Sequence, residues 1–291
     1  MKPLLIQYST VASRSREPFK WQAAGMGYLI RSAAGRWIAV DGGFVADAEP
    51  LIALMEEYST GKPVVDAWLI THPHGDHYQA ANFAAQDEKL RARIQVNRFI
   101  FCMPPEDFVD AGRGVPYRRD ILAVKAAAIG FGAPTYHATA GDVYTVDDLK
   151  IEILHTVEDL AKASDPNETS MIFRVLAAGQ SILFLGDIYS GPSRQLAARM
   201  GAALKSDFCQ LAHHALNGGA EELYAFVKPA VALVPMARPA YETVILSPEW
   251  QENRGTRHNR NLLKTMRPEN IWLSADGDRV VELPYTFSSN A

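Results

Sequence analysis

The chain has 291 residues, 48% of them hydrophobic and 21% charged, and 29 Lys+Arg against 33 Asp+Glu give a formal net charge of -4. That size and balance fit a soluble globular protein able to bury a full core. A mildly acidic chain argues against a strongly basic nucleic-acid-binding surface, so a small-molecule substrate is expected, with nucleic acid still possible through a local basic patch. Cys102 and Cys209 stand far apart among apolar neighbours. They make no disulfide framework and read as buried free thiols. The apolar run in Met1–Gln7 is too short for a signal peptide, and no stretch approaches the length of a membrane span. The expectation is a cytoplasmic, reducing location with no membrane partner.

Gly27–Arg31 and Arg36–Val40 read as paired strands about a Ser32–Gly35 turn. Asp41-Gly42-Gly43 then ends the second strand in a glycine loop. Asp47–Tyr58 is an amphipathic helix stopped by Thr60-Gly61-Lys62-Pro63. Val64–Ile70 is a mostly buried strand, because its apolar residues run almost without alternation. His72-Pro73-His74-Gly75-Asp76-His77 follows, and Tyr78–Ala85 continues as helix. Phe99–Met103 is another buried strand, and Pro104–Gly132 a helical excursion carrying Arg113, Arg118 and Arg119. In the second half, Val143–Val146 and Lys150–Leu154 are short strands. Ser170–Leu176 and Ser181–Leu185 form a hairpin around Ala178-Gly179, and Pro192–Arg199 is helical. Phe208–Ala212, Ala230–Pro235 and Asn270–Ser274 are further strands, with a helix near Asn259–Met266. Two strand-rich halves with flanking helices predict a layered α/β sandwich rather than a doubly wound sheet.

The densest chemistry lies in residues 72–77, where three imidazoles and a carboxylate share one short turn. Neutral imidazole and carboxylate oxygen are the ligands that Zn²⁺ and related divalent ions accept. A histidine-rich surface loop is the bland alternative. Four ligand-capable side chains in six residues, in a chain with only 8 His, favour the metal. Asp41, His155, Asp187 and His213-His214 also fall just after expected strands, so one site could gather them. Asp187 could alternatively cap the next helix. Asp41 could be a plain turn residue or hydrogen-bond behind a metal-bound histidine. His137, before a turn, reads as exposed or on an edge strand. His258, among Arg254, Arg257 and Arg260, reads either as part of an anion-binding rim or as a solvated helix start.

Taken in order, His72-x-His74-x-Asp76-His77, Gly186-Asp187 and His213-His214 resemble the metallo-β-lactamase superfamily, and Asp41-Gly42-Gly43 looks like that family's first motif. Asn167-x-x-Ser170-Met171-Ile172-Phe173, Ala212-His213-His214 and Asn253–His258 resemble one branch in particular. That branch includes the hydrolase domain of bacterial DNA-uptake channel (ComEC-like) proteins and a phosphorylcholine esterase; Ala275-Asp276-Gly277 would then lie on a closing hairpin. The resemblance implies a single hydrolase domain over residues 1–291, folded as a four-layer αββα sandwich with a two-metal site along one sheet edge. By carry-over, His72 and His74 hold one metal, Asp76 and His77 the other, and Asp187 bridges them. His214 completes the second metal's ligands and His213 beside it is available to a substrate oxygen, the resemblance leaving open which of the pair is the ligand. The implied function is a metal-dependent, zinc-type hydrolase (Mn or Fe also fit) in which Asp76 orients a hydroxide generated at the metal for attack on a phosphodiester or related ester.

Two departures qualify the resemblance. Most members carry one more histidine, in a Gly-His loop between the cluster and Gly186-Asp187. Here that loop is missing, and either His155 or the Asn167–Ser170 motif takes its place, the latter favoured. Ala215 stands where the branch usually has glycine. The competing functions are a lactone, amide or thioester hydrolase of the same fold, and a degenerate metal-binding sensor or partner module.

Overall fold

A computed structural model describes residues 1–17, 24–160, 162–247 and 256–287. Strands β1 (Leu4–Gln7), β2 (Gly27–Arg31) and β3 (Trp37–Asp41) lead to helix α1 (Ala48–Glu57), strand β4 (Val64–Leu69) and helices α2 (Gly75–Gln86) and α3 (Glu88–Arg93). Short strands β5 (Gln95–Val96), β6 (Phe99–Phe101), β7 (Val109–Asp110) and β8 (Val115–Pro116) precede α4 (Arg118–Phe131) and β9 (Thr135–His137). The second half runs β10 (Val143–Val146), β11 (Leu149–His155), β12 (Ile172–Ala177), β13 (Gln180–Phe184), α5 (Ser190–Met200), β14 (Phe208–Gln210), α6 (Glu221–Val227) and β15 (Val231–Val234). It closes with α7 (Arg238–Ala240), α8 (Arg257–Thr265), β16 (Ile271–Leu273) and β17 (Arg279–Glu282).

These strands form two main sheets, ordered β17-β1-β2-β3-β4-β6-β9 (with β5 beside β4) and β10-β11-β12-β13-β14-β15-β16. Both central regions are buried on two faces, and alternate residues face different layers. In β3, Trp37 and Ala39 pack toward the helices, while Ile38 and Val40 pack between the sheets. In the second sheet, Phe173, Phe184, Phe208 and Leu233 fill the space between sheets. Ile172, Leu183, Cys209 and Ala232 face the outer layer with Leu196, Leu223 and Leu263. Helix, sheet, sheet and helix therefore stack in four layers, as the αββα reading expects. No helix among the described residues is long and apolar enough to cross a membrane.

Two expectations need correction. Only Arg118–Phe131 of the Pro104–Gly132 segment is α-helical; β7 and β8 pair as a small hairpin before it. Pro104-Pro105, Gly112, Gly114 and Pro116 break the earlier part. Ala275-Asp276-Gly277 is not a hairpin turn, because β16 belongs to the second sheet and β17 pairs with β1 in the first. Gly277, with φ of 107°, makes that crossing between layers. The Leu4–Gln7 run is itself a buried strand. Asn253, Arg254 and Gly255 lie outside the described residues.

Helix α2, which starts inside the histidine cluster, is seated by a close crossing with α4. A Cβ on Gly130 would meet the Ala85 carbonyl oxygen at 2.8 Å. Gly130→Ala should therefore push the helices apart and destabilise the fold by about 1–3 kcal/mol. Thermal denaturation checks this: a lowered Tm is expected, and an unchanged Tm would contradict the close packing.

Candidate metal centre

The carboxyl ends of parallel strands in both sheets meet at one edge, where open α/β sheets commonly bind ligands. Strand β4 delivers Thr71 and His72, and helix α2 opens with Gly75, Asp76 and His77. Strand β13 delivers Gly186-Asp187, and β14 delivers His213-His214. Asp187 Oδ2 is the convergence point. It lies 3.4 Å from both His77 Nε2 and His214 Nε2, 3.8 Å from His72 Nε2 and 3.9 Å from His213 Nε2. His72 Nε2 also lies 2.9 Å from His74 Nδ1, and His214 Nε2 lies 3.0 Å from Asp76 Oδ2. Two donor groups result: His72, His74 and Asp187, and next to them Asp76, His77 and His214.

The imidazoles of His74, His77 and His214 are held by a partner on the far nitrogen, whereas His213 Nδ1 has none. Asp41 Oδ2 lies 2.8 Å from His77 Nδ1, and Asp41 also accepts from the Thr71 N–H at 2.8 Å and the Thr71 hydroxyl at 2.9 Å. Asp41 is thus the support behind a histidine, not a simple turn residue. The Pro235 carbonyl lies 2.9 Å from His214 Nδ1, and the Tyr117 hydroxyl 3.0 Å from His74 Nε2. The His213–Ala215 loop is strained, with φ of 52°, 53° and 60° at three consecutive non-glycine residues. It is pinned from outside. Tyr224 Oη accepts the Ala212 N–H, and Asn259 Nδ2 donates to the Leu216 and Gly218 carbonyls. Ala215 therefore occupies a left-handed conformation within this bolted loop. Gly186 is needed where it stands: its φ is 53°, and a Cβ would meet Ser170 at 2.9 Å.

The electrostatics divide the histidines. Burial would lower His77 and His214, but Asp187 and Asp76 raise both instead, His77 well above its ordinary value and His214 to about 10. Burial would raise Asp187, but His214 and His77 hold it well below the usual carboxylate range. Burial keeps His72, His74 and His213 below their usual values and hence neutral at pH 7, the coordinating form. Three buried carboxylates thus demand positive charge, which protons or a metal cation can supply. Five buried atoms in this cluster make no hydrogen bond of good geometry: Asp76 Oδ2, His77 Nε2, His214 Nε2, Asp187 Oδ1 and His213 Nδ1, although His214 Nε2 and Asp76 Oδ2 face each other at 3.0 Å. That donor set, all nitrogen and carboxylate oxygen, fits zinc-type divalent ions.

Other sequence candidates go elsewhere. His155 is buried against Asp159, with Nδ1 3.2 Å from its carboxylate, and is absent from both donor groups. A bulge at the end of β11 turns the chain there. Asn167 stays near the cluster through Tyr189, whose hydroxyl accepts from Nδ2 at 2.8 Å and whose ring lies 5.3 Å from His213. His258 faces Glu221, at 3.8 Å, along a cavity of about 480 Å³ that includes Tyr224 and Lys228. Arg260 is buried and donates to the Ser247 carbonyl. Thr71, Tyr117, Tyr189, Tyr224 and Asn259 were not picked out from the sequence; only a buried polar residue next to a motif could have pointed to them.

Two measurements follow. Asp41→Asn should leave the fold intact but weaken metal binding at the His77 position by about 10–100-fold; chelator competition reads this, and unchanged affinity would show that Asp41 does not aim His77. For His155, burial, opposed by Asp159 and reinforced by Arg199, lowers the folded pKa from 6.5 to about 4. Its stabilising contribution is therefore complete above pH 6.5 and lost as pH falls toward 4. The pH dependence of stability, compared between wild type and His155→Asn, should differ by up to about 3 kcal/mol across that window. Parallel curves would contradict it.

The comparisons with known proteins agree with this geometry. The metallo-β-lactamase superfamily model matches residues 24–234. No curated protein matches the chain by sequence. Among solved structures, the metallo-β-lactamase fold protein YhfI from Bacillus subtilis is similar with a TM-score of 0.55 at 13% identity, over 96% of this chain and 99% of that one. Zn(2+)-bound PqqB from Methylobacterium extorquens is similar with a TM-score of 0.54 at 10% identity, over 97% and 100%. CmlA, a diiron β-hydroxylase from Streptomyces venezuelae, gives 0.53 at 13% identity, over 97% of this chain and 54% of that one. At such identities these likenesses speak to the fold alone. With most of its length matched by the family model and the motif residues gathered at one sheet edge, the chain belongs to the metallo-β-lactamase superfamily, whose members are generally metal-dependent hydrolases.

Proposed function

We propose that residues 1–291 form one hydrolase unit holding two divalent cations, zinc by preference, and cleaving an anionic ester of the phosphodiester class. His72 and His74 serve one cation, Asp76, His77 and His214 the other, and Asp187 both. The observation that carries this reading is the convergence of buried nitrogen and carboxylate donors on Asp187, several of them without a hydrogen bond of good geometry. A bound pair of divalent cations supplies Lewis acidity and brings the pKa of water near neutral.

The chain's own residues do the rest. Asp76, in the first turn of α2, would orient the attacking water. His213, about one-fifth exposed while its neighbours are buried, faces the opening and can donate to a substrate oxygen. Tyr117 and Tyr189 flank that opening through their contacts with His74 and His213. Arg113 is exposed on the β7–β8 hairpin, with Nε 3.8 Å from the Asp110 carboxylate; burial and nearby carboxylates push the Tyr117 and Tyr189 hydroxyls up, and the Arg113 charge opposes this only in part. Arg113 supports an anionic substrate in place of the arginines near His258. The His72–His74–Asp187 group, with only three donors, favours as a second reading a sensor that holds one metal firmly and turns nothing over.

Metal analysis with turnover of an aryl phosphodiester, a lactone and a thioester separates the readings. The proposal expects two metals per chain and phosphodiester cleavage that Asp76→Ala lowers by about 1000-fold. Arg113→Ala should raise KM about tenfold, a loss of roughly 1.4 kcal/mol in substrate binding. Cleavage of the lactone or thioester alone would move the substrate class. One metal and no turnover of any probe would leave the sensor.

A further inference from the structure

A second constellation of metal-binding side chains lies where the rims of the two sheets meet, apart from the residues described above. Phe101 of β6 pairs in register with His137 of β9, so Cys102 and His137 leave the first sheet side by side. Glu158 comes from the other sheet, in the 3₁₀ turn Val157–Asp159 that follows β11. Cys102 Sγ lies 3.7 Å from His137 Nε2, and the same Nε2 lies 2.6 Å from Glu158 Oε1. All three donor atoms fall within 4.8 Å of one another.

This is not a nucleophile with a relay. A cysteine–histidine–acid relay needs the thiol on one ring nitrogen and the acid on the other, whereas here both approach Nε2. Burial, with the Glu158 carboxylate adding to it, also pushes the Cys102 thiol up to about 11, away from a reactive thiolate. Converging donors suit a cation instead. With Zn–S near 2.3 Å and Zn–N near 2.05 Å, tetrahedral geometry separates sulfur and nitrogen by about 3.6 Å, close to the spacing seen. Nitrogen and oxygen would stand about 3.3 Å apart, so Glu158 must withdraw by less than about 1 Å. Its side chain is half-exposed and free to move that far.

We propose that Cys102, His137 and Glu158 form a separate binding site for a thiophilic divalent cation of the zinc class, with water in the fourth position, clamping the rims of the two sheets together. The cation displaces the thiol proton, so binding strengthens as pH rises. Occupancy also stabilises the fold by mass action, because the three donors are together only when both sheets are in place.

Cobalt(II) discriminates the site, because the centre around Asp187 contains no sulfur. The full chain loaded with Co²⁺ should show a thiolate-to-cobalt charge-transfer band in the near ultraviolet. The band should be lost in Cys102→Ser and kept in Cys209→Ser. Zinc content should fall by one equivalent per chain in Cys102→Ser, His137→Ala and Glu158→Gln. The last two alter exposed side chains, so they serve if the cysteine variant fails to fold. No charge-transfer band in the wild type, or equal zinc content in wild type, His137→Ala and Glu158→Gln, would overturn the proposal whether or not the main centre proves hydrolytic.

Discussion

The structure depends on burying one carboxylate, Asp187, among imidazoles delivered by both halves of the chain. A carboxylate taken out of water is costly unless charge and hydrogen bonds surround it. His72 and His77 reach it from the first sheet, and His213 and His214 from the second. Its backbone N–H is held by Ser170 Oγ at 2.9 Å, and Gly186 leaves no room for a side chain at the turn before it. The two sheets are therefore locked at this edge by electrostatics, just as Phe173, Phe184 and Phe208 lock them between their faces by burial.

That arrangement concentrates strain and charge in one place while the rest of the fold stays regular. Three left-handed residues at His213–Ala215 are kept by a polar network anchored on Tyr224 and Asn259, which belong to the outer helices. The strand ends thus supply position and the helices supply rigidity. Function placed on rigid ends with bolted loops is how a site retains geometry to within fractions of an ångström.

Much of this was legible in the sequence because it rests on short-range pattern. Unbroken apolar runs gave away β4, β13 and β14, and four donors in six residues marked the cluster. The layer order followed from two strand-rich halves with helices beside them. What was hidden depends on the third dimension. Whether His155 or Asn167 stood near the cluster turned on a bulge in β11 that no local signal encodes. The outward direction of His258 turned on which face of α8 packs on α6. β1 carries no alternation to mark it, and its partner β17 lies at the other end of the chain. Tyr117 and Asn259 are ordinary residues until the fold sets them against a histidine or a strained carbonyl.

Asp187 would be shared by both cations if the centre holds two. Crystals grown with zinc, measured on both sides of the zinc absorption edge, test it most directly. Two anomalous peaks about 3.5–4 Å apart, one beside His72 and His74 and the other beside Asp76, His77 and His214, with Asp187 touching both, are expected. A single peak that leaves His72 and His74 bare, or two peaks of which Asp187 touches only one, would contradict it.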